Sequence, residues 1–270
     1  MRDNLKNFLY GGISGIVSRT ITSPFERLKI LRQIFPLKYK NLNFIQSYKY
    51  TLFNEGYKGF FKGNLVNCVR VFPQQAVNFS IFNLVNKDFN LNYFTSGAIA
   101  GITSYLSIYP LETIRSKLSV QVKQHKYKGL LDCFVKTVST NGYYSLYKGS
   151  FLASIGMIPF QGTNFLVYNY LNDNYNNQNL KIYNSLFFGS LSGIASVSVA
   201  YPFDTIKRKL QLSGESGNPK FRGIIHCIKH MYINNGIKSF YRGLIPCYAK
   251  IFPANGIYFF MIEILKSNGL

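Results

Sequence analysis

The sequence predicts an all-α membrane protein with six transmembrane helices in three pseudo-symmetric repeats and short amphipathic helices on one face. A Pro-x-acid-x-x-base motif occurs three times. Two further landmarks keep its register, and long uncharged stretches run between them.

The motif reads Pro24-Phe25-Glu26-Arg27-Leu28-Lys29, Pro110-Leu111-Glu112-Thr113-Ile114-Arg115 and Pro202-Phe203-Asp204-Thr205-Ile206-Lys207, with prolines 86 and 92 residues apart. An aromatic-basic-glycine follows each as Phe61-Lys62-Gly63, Tyr147-Lys148-Gly149 and Tyr241-Arg242-Gly243, spaced by 86 and 94. Pro73, Pro159 and Pro253 keep those spacings of 86 and 94. Self-similarity at a fixed period marks a repeat architecture, so the chain divides into repeats at 1–88, 89–176 and 177–270. The extra residues of the third copy fall at 213–219, where Ser, Gly, Asn and Pro read as a loop.

The stretches 89–111, 149–171 and 182–203 carry no charge, and each exceeds the roughly 20 residues of a transmembrane helix. The stretches 5–25, 71–86 and 251–262 are shorter or interrupted, and repeat equivalence raises the count to six helices. Gly11, Gly12 and Gly15, then Gly97, Ala98 and Gly101, then Gly189 and Gly193 recur near the first helix of each copy. Small residues at that spacing predict close helix packing in lipid. Polar amphipathic segments at 43–54, 130–140 and 224–234 predict short helices on one membrane face.

Composition narrows the partners. Lys and Arg number 31 against 10 Asp and Glu, for a net charge of +21. Such a field attracts nucleic acid, anionic lipid or phosphorylated metabolites. A soluble nucleic-acid binder does not account for the uncharged spans or the repeated proline-acid motif, so no nucleic-acid partner is expected. Mean hydropathy is only +0.02, which suits helices apolar on one side and lining water on the other. Four scattered cysteines give no disulfide framework. No cleavable signal is read at the N-terminus. No phosphate-binding Gly-x-x-x-x-Gly-Lys-[Ser/Thr] loop occurs. His226 and His230 with Cys227 have helical spacing but no third spaced ligand, so no metal, no cofactor and no enzymatic activity are expected.

Where repeats differ, specificity is encoded. Three residues before each even-helix proline stand Arg70, Gly156 and Lys250. A charge at that depth costs at least a few kcal/mol unless it meets water or a partner, and the scarcity of carboxylates nearby points to an anionic ligand.

The three registered motifs resemble the mitochondrial carrier family, over residues 5–266. The resemblance implies a six-helix barrel of the mitochondrial inner membrane, with the short helices on the matrix side and alternating access to a central cavity. It implies a matrix gate of Glu26 with Arg115, Glu112 with Lys207, and Asp204 with Lys29. It also implies bracing glutamines at Gln33 and Gln211, with Ser119 departing from the pattern. The outer gate is kept only as Glu263 and Lys266. Arg70, Gly156 with Met157, and Lys250 match the family's substrate contact positions. The glycine-aliphatic pair implies an adenine base, with Arg70 and Lys250 on its phosphates. The stretch 63–79, which includes Asn78, and the cation Arg19 are similar to those of ADP/ATP carriers. The third repeat, with Lys207-Arg208-Lys209 and Lys250, is closer to ATP-magnesium/phosphate carriers. Ser18-Arg19-Thr20 resembles carriers of coenzyme A or adenosine phosphosulfates. The resemblance thus implies an ADP/ATP-like antiporter with an anionic lipid such as cardiolipin as partner, the alternatives being those other cargoes or a scaffold without transport.

Overall fold

The computed structural model describes residues 2–39, 42–88, 93–121, 126–175, 181–215 and 218–267. Among them the chain is helical throughout, with no strand. In chain order the helices are α1 (Arg2–Ile21), α2 (Ser23–Ile34), α3 (Pro36–Tyr39), α4 (Phe44–Glu55), α5 (Asn64–Val69), α6 (Val71–Asp88), α7 (Tyr93–Ser119), α8 (Leu130–Asn141), α9 (Ser150–Tyr175), α10 (Lys181–Gln211), α11 (Ile224–Asn235) and α12 (Leu244–Ser267). Helices α7, α9, α10 and α12 run unbroken through Pro110, Pro159, Pro202 and Pro253. In the first repeat both long helices divide instead. Pro24 lies in the first turn of α2, where its missing N–H costs nothing, and Arg70 separates α5 from α6.

These long elements form a ring. The α5–α6 pair packs on α1 and α7, α7 meets α9, α9 meets α10, α10 meets α12, and α12 returns against α1 and α2. Helices of 24 to 31 residues are long enough for a bilayer at 1.5 Å per residue. Yet among the described residues no helix is long and apolar enough to cross a membrane. The expectation that three stretches qualify on hydropathy alone is therefore not met. They are uncharged, but Ser, Thr, Asn, Tyr and Gly dilute them.

The three short helices α4, α8 and α11 fall within a residue of the segments expected for them. Each buries one stripe at equivalent positions: Ser47 and Thr51, Cys133 and Thr137, Cys227 and Met231. Their outer faces expose Phe53, Leu131 and Ile225, the kind of apolar surface that an interfacial helix lays into lipid. Above the buried stripes sit matching cores. Val66, Ile114, Leu118, Tyr127, Cys133 and Leu146 pack together between the first and second repeats. Leu152, Ile206, Leu210, Phe221, Cys227 and Met231 do so between the second and third. Each core joins two repeats, so a repeat cannot bury its apolar face alone.

The motif glycines close the ring. Gly63, Gly149 and Gly243 have φ of 84°, 86° and 90°, a region that costs other residues roughly 1–2 kcal/mol. An added Cβ would also lie 2.9 Å from the Arg115 carbonyl, 3.0 Å from that of Lys207 and 2.9 Å from that of Lys29, respectively. Each glycine thus presses against the motif base of the next repeat. Gly149→Ala is expected to lower the melting temperature in detergent clearly. Gly97→Ala, with open space around its Cβ, should leave it unchanged or raise it. Equal responses would contradict this packing account.

The expectation of glycine-mediated packing holds unevenly. A Cβ on Gly12 would strike the Phe72 ring at 2.4 Å, whereas Gly97, Gly101 and Gly189 meet nothing within 4 Å among the described residues. Recurrence of a small residue does not ensure that a neighbour fills the groove.

The inserted loop of the third repeat is a clamp. Glu215, 5% exposed, accepts Lys117 at 3.0 Å, Lys126 at 2.9 Å and the Tyr127 hydroxyl at 2.7 Å. Burial favours the neutral acid, but hydrogen bonds from Tyr127 and Lys126 and the Lys117 ammonium outweigh it and hold the Glu215 carboxyl below its usual range. A carboxylate with a depressed folded-state pKa adds stability above its unfolded value of about 4.3, and loses it as pH falls through the folded value. Glu215→Gln should lower stability at neutral pH and flatten its decline on acidification. Wild-type acid sensitivity in this variant would contradict the assignment.

Candidate functional site

A helix places residues three apart on one face, so each motif presents its acid and base together toward the ring interior. Each acid then meets the base of another repeat. Glu26 lies 2.9 Å from Arg115, Asp204 lies 2.6 Å from Lys29, and Glu112 lies 3.8 Å from Lys207. The Lys29–Asp204 pair is an ion contact without hydrogen-bond alignment. Lys29 also sits 5.3 Å from the centre of the Tyr201 ring.

The belt is larger than these pairs. Lys250 reaches Glu26 at 2.5 Å, and Arg70 pairs with Glu112. Arg208, 3% exposed, lies 3.2 Å from the other Glu112 oxygen. Arg115 is 3.6 Å from Glu112 within its own motif. Glu112 is therefore a hub for Arg70, Arg115, Lys207 and Arg208. Three carboxylates hold six cations (Lys29, Arg70, Arg115, Lys207, Arg208 and Lys250), which leaves three positive charges in excess. Desolvated pairs of this kind are costly to form and costly to leave half-made.

The expected shortage of carboxylates around Arg70 and Lys250 is thus corrected. Both side chains reach the motif acids along the ring interior. Arg19 stands apart: its guanidinium donates to the Asn67 carbonyl at 3.2 Å. Asn78 is exposed, and of the expected substrate residues only Gly156 and Met157 line the cavity described below, while Arg19, Arg70, Asn78 and Lys250 do not. The expected bracing glutamines sit beside the belt. Gln33 donates to Thr205 at 3.3 Å. Gln211 accepts from Arg208 at 3.2 Å and from Ser116 at 3.1 Å. Ser119 donates to the carbonyls of Arg115 at 2.8 Å and Lys62 at 3.2 Å. The side chains of Glu263 and Lys266 lie outside the described residues.

Against the belt lies a cavity of about 230 Å³. Gly156, Met157, Phe160, Tyr105, Tyr201 and Phe203 supply apolar and aromatic walls, while Lys29, Asp204 and Lys207 supply charge. Gly156 does more than leave room, since a Cβ there would meet the Phe203 Cβ at 2.9 Å. Its absence lets α9 approach α10, and the space beside Met157 remains. A planar apolar group fits these walls, with anionic substituents directed toward the lysines.

Sequence reasoning missed Arg208, Ser116 and Tyr105. The signal for Arg208 lay in repeat comparison, because its equivalents are Ile30 and Ser116. Tyr105 is the equivalent of Arg19 and Val197. Its contacts depend on the neighbouring helix, which no linear motif records.

A threefold ring of long helices, tied at one level by ion pairs between repeats and holding a cavity against that level, defines a repeat-built carrier scaffold. The chain belongs to the mitochondrial carrier protein family, whose model matches residues 2–90, 86–179 and 178–269. It is 31% identical to the Arabidopsis thaliana adenine nucleotide transporter BT1, chloroplastic/mitochondrial, over 98% of this chain and 70% of that one. It is 29% identical to the Mus musculus solute carrier family 25 member 16, over 97% of this chain and 88% of the relative. With the Arabidopsis thaliana mitochondrial adenine nucleotide transporter ADNT1 it shares 28% identity, covering 97% and 86%.

Proposed function

We propose that this protein is an adenine-nucleotide carrier of the mitochondrial inner membrane, exchanging ADP- or ATP-like substrates by alternating access. The observation that carries the reading is the cavity itself. Gly156, Met157 and Phe160 form a wall for a base, and it opens onto a belt with three uncompensated positive charges. Two of the relatives are named as adenine nucleotide transporters, which supports the same substrate class.

In this mechanism the belt is the matrix gate, drawn closed. Glu26 and Asp204 hold neighbouring repeats through Arg115 and Lys29, and Glu112 does so through Arg208 and, at longer range, Lys207. Arg70 and Lys250 spend the closed state on gate carboxylates, so phosphates that draw these cations away also remove partners from Glu112 and Glu26. Binding energy is thereby directed at the closed network, and a ligand shifts the equilibrium only through such differential contacts. Arg19 adds a further cation on the first repeat.

The membrane partner is an anionic lipid such as cardiolipin. A second cavity of about 570 Å³ between the second and third repeats is lined by Lys117, Lys148, Lys220 and Arg222, cations suited to phosphate headgroups.

A ligand that binds the folded protein raises its melting temperature. ADP or ATP is expected to stabilise the detergent-purified protein, and guanine nucleotides to do so less. Stabilisation by coenzyme A or an adenosine phosphosulfate alone would move the assignment to that cargo. No response to any nucleotide would contradict it.

A further inference from the structure

Lys207 is a divided cation. It is the motif base of the third repeat, yet it lies 3.8 Å from Glu112, the longest of the three motif pairs. Its ammonium instead donates to the Tyr105 hydroxyl at 2.6 Å. It also stands 5.3 Å from the Tyr105 ring centre and 5.9 Å from that of Tyr109. Tyr105 packs edge-on against Tyr109, with centroids 5.6 Å apart. Tyr109 is itself fixed, because its hydroxyl donates to the Lys148 carbonyl at 3.0 Å. The Tyr105 ring, packed on this fixed neighbour, therefore presents its hydroxyl to the Lys207 ammonium at the cavity wall.

The next residue occupies the place Lys207 leaves. Arg208 lies closer to the same Glu112 oxygen, at 3.2 Å. It also donates to Ser116 and, at 3.2 Å, to Gln211. Neither other repeat has a cation at this position, where Ile30 and Ser116 stand. The third repeat thus places two cations where the others place one.

We propose that Tyr105 is a positioning residue that holds Lys207 toward the cavity, where it meets the anionic part of the bound nucleotide, while Arg208 holds Glu112 in its stead. This rests on the nucleotide reading for the ligand, but the division between Lys207 and Arg208 stands on the geometry alone. Tyr105 and Lys207 line the same cavity as Gly156 and Met157, so a base seated there brings its phosphates within reach of this ammonium.

Two readouts on the full chain separate these parts. In liposomes, Tyr105→Phe keeps the ring and removes the hydroxyl, and the apparent KM for ADP should rise about tenfold with little change in maximal rate, the scale of one hydrogen bond to a charged group. In detergent without substrate, Arg208→Gln should lower the melting temperature less in the Tyr105→Phe background than in the wild type. The freed Lys207 can then take the vacant place on Glu112. Should Arg208→Gln fail to fold, Arg208→Lys replaces it in the same cycle. An unchanged KM would overturn the sensing role of Lys207. Equal melting losses in both backgrounds would overturn the division of roles. If the wild type exchanges no nucleotide, the nucleotide reading fails, and the substrate-free cycle still decides the division.

Discussion

Glu112→Gln should be the most damaging single substitution in the ring. It leaves Arg70, Arg115, Lys207 and Arg208 facing one another around a neutral amide. Removing one partner of a buried pair typically costs about 3–5 kcal/mol, a large share of a protein's total stability. Here four cations lose the same partner, with Glu112 only 4% exposed. The expected outcome is failure to accumulate in the membrane, or a melting temperature far below that of Asp204→Asn, which strands chiefly Lys29. Similar losses from the two would mean that the hub carries no special weight. Pseudo-threefold symmetry alone predicts such equivalence, so the comparison isolates what this chain adds to the shared plan.

Arg70→Ala should abolish nucleotide exchange while leaving insertion and folding intact. Glu112 keeps three other cations when Arg70 is removed, so the gate persists without it. On the proposed reading a phosphate that draws Arg70 off Glu112 loses that contact in the variant, and hydrogen bonds to charged groups are worth about 1.5–3 kcal/mol each. Arg70→Lys should restore part of the activity, since it keeps the charge but not the fork. Exchange unchanged in Arg70→Ala would remove Arg70 from the substrate site and leave it as a gate residue only.

The sequence made the machine more legible than its contents. Pro24, Pro110 and Pro202 fix a register, and the acid and base that follow each must face the ring interior at helical spacing. Which acid meets which base across the three repeats was implied by the resemblance to the carrier family, not by the register. Helices α4, α8 and α11 were likewise readable, since each is a polar segment of amphipathic character between paired apolar stretches.

What escaped the sequence has a common cause. Arg70 and Lys250 were read as cations awaiting a ligand, but long side chains on different helices reach Glu112 and Glu26 across the interior. Gly156 was read as space for a base, although Phe203 of the adjacent helix also requires its missing Cβ. The glycines of the second repeat follow the same pattern as those of the first, yet among the described residues nothing lies within 4 Å of a Cβ at Gly97 or Gly101. Each case turns on inter-helix approach. Registers give which residues face inward, and only packing gives which of them touch.

The central claim is that this ring carries adenine nucleotides. The direct measurement is uptake of labelled ADP by liposomes that contain the purified protein and are preloaded with ATP, ADP or buffer. Uptake that depends on internal nucleotide, and is lost in Arg70→Ala while the variant remains folded in the bilayer, is the predicted result. No uptake of ADP or ATP under any loading, by protein shown to be folded, would contradict it.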